Sequence, residues 1–316
     1  MWFIPFRLLG ALTLLVMPLA ALAAPFAYVP NEGSGTLSVI DTATDQVVGE
    51  IAAGKKPRGI VVSADGRTVY VSDQPNNQLV VVDIASRKAT GVIALGESPE
   101  GVGISPDGRW VAAAVEESND VAFVETATQL KAFVVKVRGK NPEHAVFAPD
   151  GLHVFVSAEE GEAVDVIDVA QREQVAQIAV GARPRGIGFS PDGKRAYVAA
   201  ENSNEVYVLD AVGFSVVGKI KTGLRSNGIA VQPGGKRVFV SNGGDATVSV
   251  IDAASLAVTA TIPVGQRPWN MALTPDGKKL YVACGRSGSV SVIDVERGVK
   301  IADVAVGMLP WGVAIH

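Results

Sequence analysis

The chain has 316 residues, 48% of them apolar and only 6% aromatic, with 34 Gly, 17 Pro, three His and one Cys. That is too apolar for a disordered protein, and a single cysteine excludes an intramolecular disulfide or a multi-cysteine metal site. The formal charge of 28 − 32 = −4 lacks the basic excess that a nucleic-acid surface needs.

Residues 1–23 carry one charge, Arg7, then an apolar run over 8–22 broken by Pro18, and end in Ala21-Leu22-Ala23. Charged, apolar and small-residue regions in that order predict a secretory signal cleaved between Ala23 and Ala24; the run is short for a retained anchor. No Cys lies near the site, so no lipoprotein is expected. The mature chain would be 24–316, of charge 27 − 32 = −5, with no membrane span after cleavage. In a bacterial setting it would be periplasmic.

From there one unit is written seven times. Short apolar runs end in Asp41, Asp83, Glu125, Asp168, Asp210, Asp252 and Asp294, spaced by 42, 42, 43, 42, 42 and 42 residues. Gly-x-x-Pro begins at Gly54, Gly96, Gly139, Gly181, Gly265 and Gly307, and Gly223 takes the remaining place with Ser226 where Pro is expected. Pro-Asp-Gly or a near variant ends at Gly66, Gly108, Gly151, Gly193, Gly235 and Gly277. In the unit that follows Gly54, strands are predicted over 59–63, 69–72, 79–83 and 90–95. An Asp-Gly turn joins the first two, and a polar loop over 73–77 joins the next two. The repeated Asp is expected to cap a turn. Four strands in about 42 residues, seven times, make an all-β protein, a seven-bladed β-propeller of four-stranded blades over 24–316. The sequence opens on a second strand (Phe26-Ala27-Tyr28-Val29) and closes on a first strand (Trp311-Gly312-Val313-Ala314-Ile315). A composite blade of three N-terminal strands and one C-terminal strand should therefore close the ring.

Tyr-Val-x-x, Val-Ser-Val-Ile-Asp, Gly-x-x-Pro and Ser-Pro-Asp-Gly together resemble the YVTN family of β-propeller repeats, and Phe239-Val240-Ser241-Asn242 with Thr247–Asp252 is among the closest units. An exported chain made of seven such repeats is similar to the PQQ-dependent catabolism-associated β-propeller proteins. That resemblance implies a setting beside quinoprotein alcohol oxidation and linked transporter components, with a quinoprotein dehydrogenase or a transporter component as a periplasmic partner. It implies no catalytic residues.

Binding residues are expected on loops around one channel mouth, where the Gly-x-x-Pro turns and the loops between second and third strands meet. The residue after the Pro place varies around the ring: Arg58, Glu100, Glu143, Arg185, Asn227, Trp269 and Trp311. The next place is Gly except for His144 and Asn270. These nine form the candidate ligand- or partner-binding surface, since a purely structural position would be uniform. Trp is enriched in recognition surfaces. Arg183, Arg225 and Arg267, one place before the Pro position, would add a cationic rim for a carboxylate or another anion. The plainer expectation is that the two Trp plug the channel, the Arg and Glu pair with one another, and His144 is a hydrogen-bonded structural residue. Glu32, Glu116, Glu159 and Glu201 are expected to be solvated, and Cys284 a small buried residue.

No Ser–His–Asp grouping, metal quartet or Cys-x-x-Cys-His haem attachment is visible, and no cofactor or metal is expected. A non-enzymatic exported binding or scaffold protein is therefore the leading expectation. A hydrolase or lactonase working at the mouth is the alternative, and a redox enzyme holding its own PQQ or haem is a third.

Overall fold

The computed structural model describes residues 25–316 and, before them, only the first two. The expected signal sequence and its cleavage site lie outside the described residues. Among the described residues no helix is long and apolar enough to cross a membrane.

Among the described residues, twenty-eight strands form seven four-stranded antiparallel sheets, the blades of a closed ring. The second blade shows the pattern, with an inner strand Pro57–Val62, then Thr68–Asp73, Gln78–Asp83 and an outer strand Lys88–Ala94. Its two middle strands are buried over four or five consecutive residues. Both of their faces pack against neighbouring blades, which is why they read as continuous apolar runs instead of alternating ones. The outer strand buries only Ile93, and its other residues are exposed or half-buried.

Hydrophobic packing is divided into seven clusters, one at each seam between blades. Phe123 and Val135 of the third blade, for instance, pack on Val154 and Ile167 of the fourth. Cys284 is buried at the seam of the sixth and seventh, as expected. The turn motifs act as their residues dictate. Ser63 Oγ donates to Asp65 at 2.6 Å, and Gly66 takes φ 67°, a left-handed conformation open to glycine. The repeated Asp caps the next turn, with Asp83 accepting from the Ser86 amide and Asp168 from that of Gln171, both at 2.8 Å.

The ring closes as the ends of the sequence predict. The first blade is ordered Ala314–Ile315, Phe26–Asn31, Thr36–Asp41, Gln46–Ala52, with Ala27 opposite Ile315 and Tyr28 opposite Ala314. Amide bonds Phe26 to His316 (2.9 Å) and Trp311 to Pro30 (2.9 Å) extend the pairing. Lys279 of the seventh blade adds an ion pair to Asp45 at 2.8 Å across the seam.

One irregularity positions everything that follows. Complete inner strands lose register just after the Pro place: Pro57 pairs Asp73, but the next ladder partner is Ile60 with Val71. The residues between, Arg58 and Gly59, bulge out of the ladder, and bulges of this kind re-aim side chains. The same shift recurs at Pro99/Val102, Pro184/Ile187, Ser226/Ile229 and Pro268/Met271. Glycine in the bulge lets neighbouring inner strands approach: a Cβ on Gly101 would lie 2.7 Å from the Glu143 carbonyl oxygen, and one on Gly186 2.7 Å from that of Asn227. In the fourth blade, where His144 replaces that glycine, the inner strand Pro142–Phe147 packs less closely on its neighbour Pro184–Phe189.

Candidate functional site

The bulges aim their side chains into a cavity of about 320 Å³ at the channel mouth. Arg58, Glu143, Arg185, Asn227, Trp269, Asn270 and Trp311 line it, joined by Glu32, Glu116, Glu159, Arg183, Arg267 and Leu309. Glu100 and His144, the other two expected site residues, are not on its wall; Glu100 is 1% exposed and ion-paired to Arg58.

The loops between second and third strands do reach this face, but their acids are not solvated as the sequence reading expects. The Glu201 side chain is wholly buried, and those of Glu159 and Glu32 are 11% and 12% exposed. The reason is reach across blades. Arg183 meets Glu159 at 2.5 Å, while Arg185 meets Glu143 and, at 2.8 Å, Glu159. Four guanidiniums converge on Glu201: Arg225 and Arg267 each donate to Oε1 at 2.9 Å, Arg185 reaches Oε2 at 3.0 Å, and Arg183 approaches it at 3.4 Å. Arg58 links Glu100 to Glu32 (3.1 Å). Arginine suits this work because its planar fork stays charged and bridges two acids at once.

Crowding of like charges shifts the acids apart. Burial, with the Glu143 charge, outweighs Arg185 and Arg183 and pushes Glu159 up to about 7. Glu143 itself is held low: burial raises it, but Arg185 leads a set of neighbours that overcomes the effect. Glu143 and Glu159 influence one another: the charge on Glu143 favours the neutral form of Glu159. Burial and Glu143 likewise push Glu100 up to about 9 against the pull of Arg58. The two ends of the Arg58–Glu100 pair thus point in opposite directions: Arg58 is kept charged by Glu100 and Glu32, whereas Glu100 is driven towards its neutral form.

His144 is not the hydrogen-bonded residue expected of a structural histidine. Neither ring nitrogen has a partner, and the ring stacks on Trp311 at 5.3 Å, three blades away across the channel. Asn270 is near enough to favour its charged form but makes no hydrogen bond of ordinary geometry with it. Burial, the largest influence, holds the imidazole neutral. Trp311 with His144 therefore covers the channel, while Trp269 lies over Gly285 with the Arg267 guanidinium 6.0 Å from its ring. A larger hollow of about 890 Å³ opens on the opposite face beside the closure seam. Its charged groups are spent locally, Lys279 on Asp45 and Lys278 on Asp276, so it lacks the convergent unsatisfied chemistry of the mouth. Among the described residues no group of three or more His, Cys, Asp or Glu is arranged to hold a metal.

The model of one protein family, described as lactonase, 7-bladed beta-propeller, matches residues 19–132 and 168–300. The chain belongs to that lactonase family. The match leaves out 133–167, the stretch that carries Glu143, His144 and Glu159, so their roles rest on geometry alone. No curated protein matches. Among solved structures, hydrazine synthase from Kuenenia stuttgartiensis is similar, at 23% identity and a TM-score of 0.79, over 90% of this chain and 99% of that one. A functionally unknown protein from Desulfotomaculum acetoxidans DSM 771 aligns at 18% identity and a TM-score of 0.83, over 92% and 99%. The dihydro-heme d1 dehydrogenase NirN in complex with DHE aligns at 16% and 0.69, over 94% and 78%. At these identities the likeness extends to the fold. Membership of a lactonase family corrects the leading expectation of a non-enzymatic scaffold and favours the hydrolytic alternative. The scaffold expectation rested on the lack of a Ser–His–Asp grouping, metal quartet or haem attachment in the sequence, and none of these is needed for membership of this family.

Proposed function

We propose that the channel mouth hydrolyses a lactone, with Glu159 as general base. The observation that carries this reading is a carboxyl pushed up to about 7, on the wall of a 320 Å³ cavity, between two guanidiniums. A base acts best when its pKa lies near the working pH, and a cavity of this size holds a small ring. Glu159, ionised, takes a proton from water as the water oxygen bonds to the lactone carbonyl carbon. Arg183 and Arg185 face the charge that develops on the carbonyl oxygen. The ring C–O bond then breaks, and Glu159 returns the proton to the departing ring oxygen. The new carboxyl ionises to solvent. Glu143 does not touch the reacting atoms; its charge keeps Glu159 basic, which makes it a positioning residue.

The repeats support a finer placement by resemblance: a YVTN-type protein, exported by cleavage after Ala23 to the periplasm, acting beside quinoprotein alcohol oxidation and its transporter components.

A panel of five- and six-membered lactones followed by acid release provides the test. Glu159→Gln should lower turnover by about 10²–10⁴-fold. Wild-type kcat/KM should rise with pH and level off above about 7, because only the ionised carboxyl accepts a proton. Turnover that survives Glu159→Gln with the same pH profile would remove Glu159 from the reaction.

A further inference from the structure

In each blade, one residue begins the loop between second and third strands, and its amide bonds the carbonyl of the residue before the Pro place: Glu201 to Arg183 (2.9 Å), Gly243 to Arg225 (2.8 Å) and Gly285 to Arg267 (3.0 Å). Around the ring that loop place holds Glu32, Gln74, Glu116, Glu159, Glu201, Gly243 and Gly285.

The pairing between blades is regular over three consecutive seams. The residue before the Pro place reaches back to the loop acid of the preceding blade: Asn141 to Glu116 at 3.0 Å, Arg183 to Glu159 at 2.5 Å, Arg225 to Glu201 at 2.9 Å. The next member, Arg267, should meet an acid at 243, where the chain has glycine. It turns instead to Glu201, which Arg225 already occupies through the same oxygen. A Cβ on Gly243 would stand 3.1 Å from Arg267 Nη1, so the guanidinium leans over the place where the side chain of a loop acid would begin. The corresponding space over Gly285 is different, because the Trp269 ring fills it.

Charge counting agrees. Arg183, Arg185, Arg225 and Arg267 form their ion pairs with only three acids, Glu143, Glu159 and Glu201, so the guanidiniums outnumber their partners. Arg267 is pushed down by burial, and by Arg225 and Arg185, despite its contact with Glu201. We propose that the cavity wall at Arg267 is a subsite for a carboxylate group of the ligand, which stands in for the side-chain acid missing at Gly243. Arg267 and its neighbour Trp269 line the cavity, so a ligand held there can reach this guanidinium. A carboxylate is the group that fits, because carboxyl side chains fill the equivalent loop place in four blades.

The test uses binding of unreactive ligands, so it stands or falls separately from lactone hydrolysis. Calorimetry on the full chain would compare acetate, glutarate and gluconate with the uncharged glutaramide. At least one of the acids should bind and the diamide should not. Arg267→Gln should weaken binding by about tenfold or more, the loss expected for a charged hydrogen bond. Gly243→Glu supplies the missing acid from within; φ at Gly243 lies outside the left-handed region, and the Arg267 guanidinium, the end of a flexible side chain, has to give by a few tenths of an ångström. That variant should melt no lower than wild type and should lose the acid. No binding by any of the three acids, equal binding by glutaramide, or binding that survives either substitution would overturn the proposal. Survival in Arg267→Gln in particular would show an adventitious ion only.

Discussion

On the face away from the mouth, the turn between inner and second strands is written nearly alike in every complete blade. Ser63-Ala64-Asp65-Gly66, Ser105-Pro106-Asp107-Gly108 and Ser190-Pro191-Asp192-Gly193 each close with a hydroxyl donating to the Asp at 2.6 Å and a glycine near φ 70°. At the mouth, the residues that leave the ladder after the Pro place run from Arg58 and Glu100 to Asn227 and Trp269. Backbone geometry dictates the first set, since only a few residues satisfy a tight left-handed turn. Nothing in the fold dictates the second, because a bulge accepts any side chain that projects into open space. The contrast shows which positions of a repeat protein serve the scaffold and which are free to serve a ligand.

Three changes would break or sharpen it. Removing residues 311–316 takes away the pairing of the last strand with the first and should abolish both faces together. The loss should be a large share of the about 5–15 kcal/mol that holds an ordinary domain. Calorimetry should show collapse of the unfolding transition, and an unchanged melting curve would mean that closure contributes little. Glu201→Ala comes next: it leaves four guanidiniums without their buried partner and should cost about 3–5 kcal/mol in chemical denaturation. An exposed pair such as Arg109–Glu125 should cost less than about 1 kcal/mol when cut. The smallest effect belongs to the opposite face. Gly193→Ala forces a Cβ into a φ of 70°, though Pro149 at 3.6 Å leaves room for it, so strain alone should cost about 1–2 kcal/mol. Ligand binding at the mouth should be unchanged by it, and a loss there would show that the two faces are mechanically linked.

Most of the architecture was legible because it is repetitive: a 42-residue spacing, an Asp that caps a turn and a strand that opens the sequence each have a local cause. The site was legible only in part. Arg58 finds Glu100 and Arg185 finds Glu143, each 42 residues away, so one repeat length already predicts those neighbours. Arg267 finds Glu201 across 66 residues, which no single repeat shift indicates. Glu159 and Glu201 sat in plain view as loop acids, but burial is a property of the assembled ring. Reading the loop acids alongside the residues before the Pro place would have exposed both the pairing rule and its failure at Gly243. The partnerless ring of His144 has no sequence signal, because its environment is set by Trp311 from the far side of the channel.

The composite blade also has a kinetic consequence. Ala27 and Ile315 are 315 − 27 = 288 positions apart, yet they are ladder neighbours. Bringing such distant points together costs chain entropy that nearby hairpins never meet, and contacts of that separation slow folding. The six complete blades can each form from about 40 contiguous residues, whereas the first stays one strand short until the last residues of the chain arrive. Ring closure should therefore be the final and slowest event of folding. The mouth, whose cavity is walled by Glu32 from one end of the chain and Trp311 from the other, comes into being only at that moment.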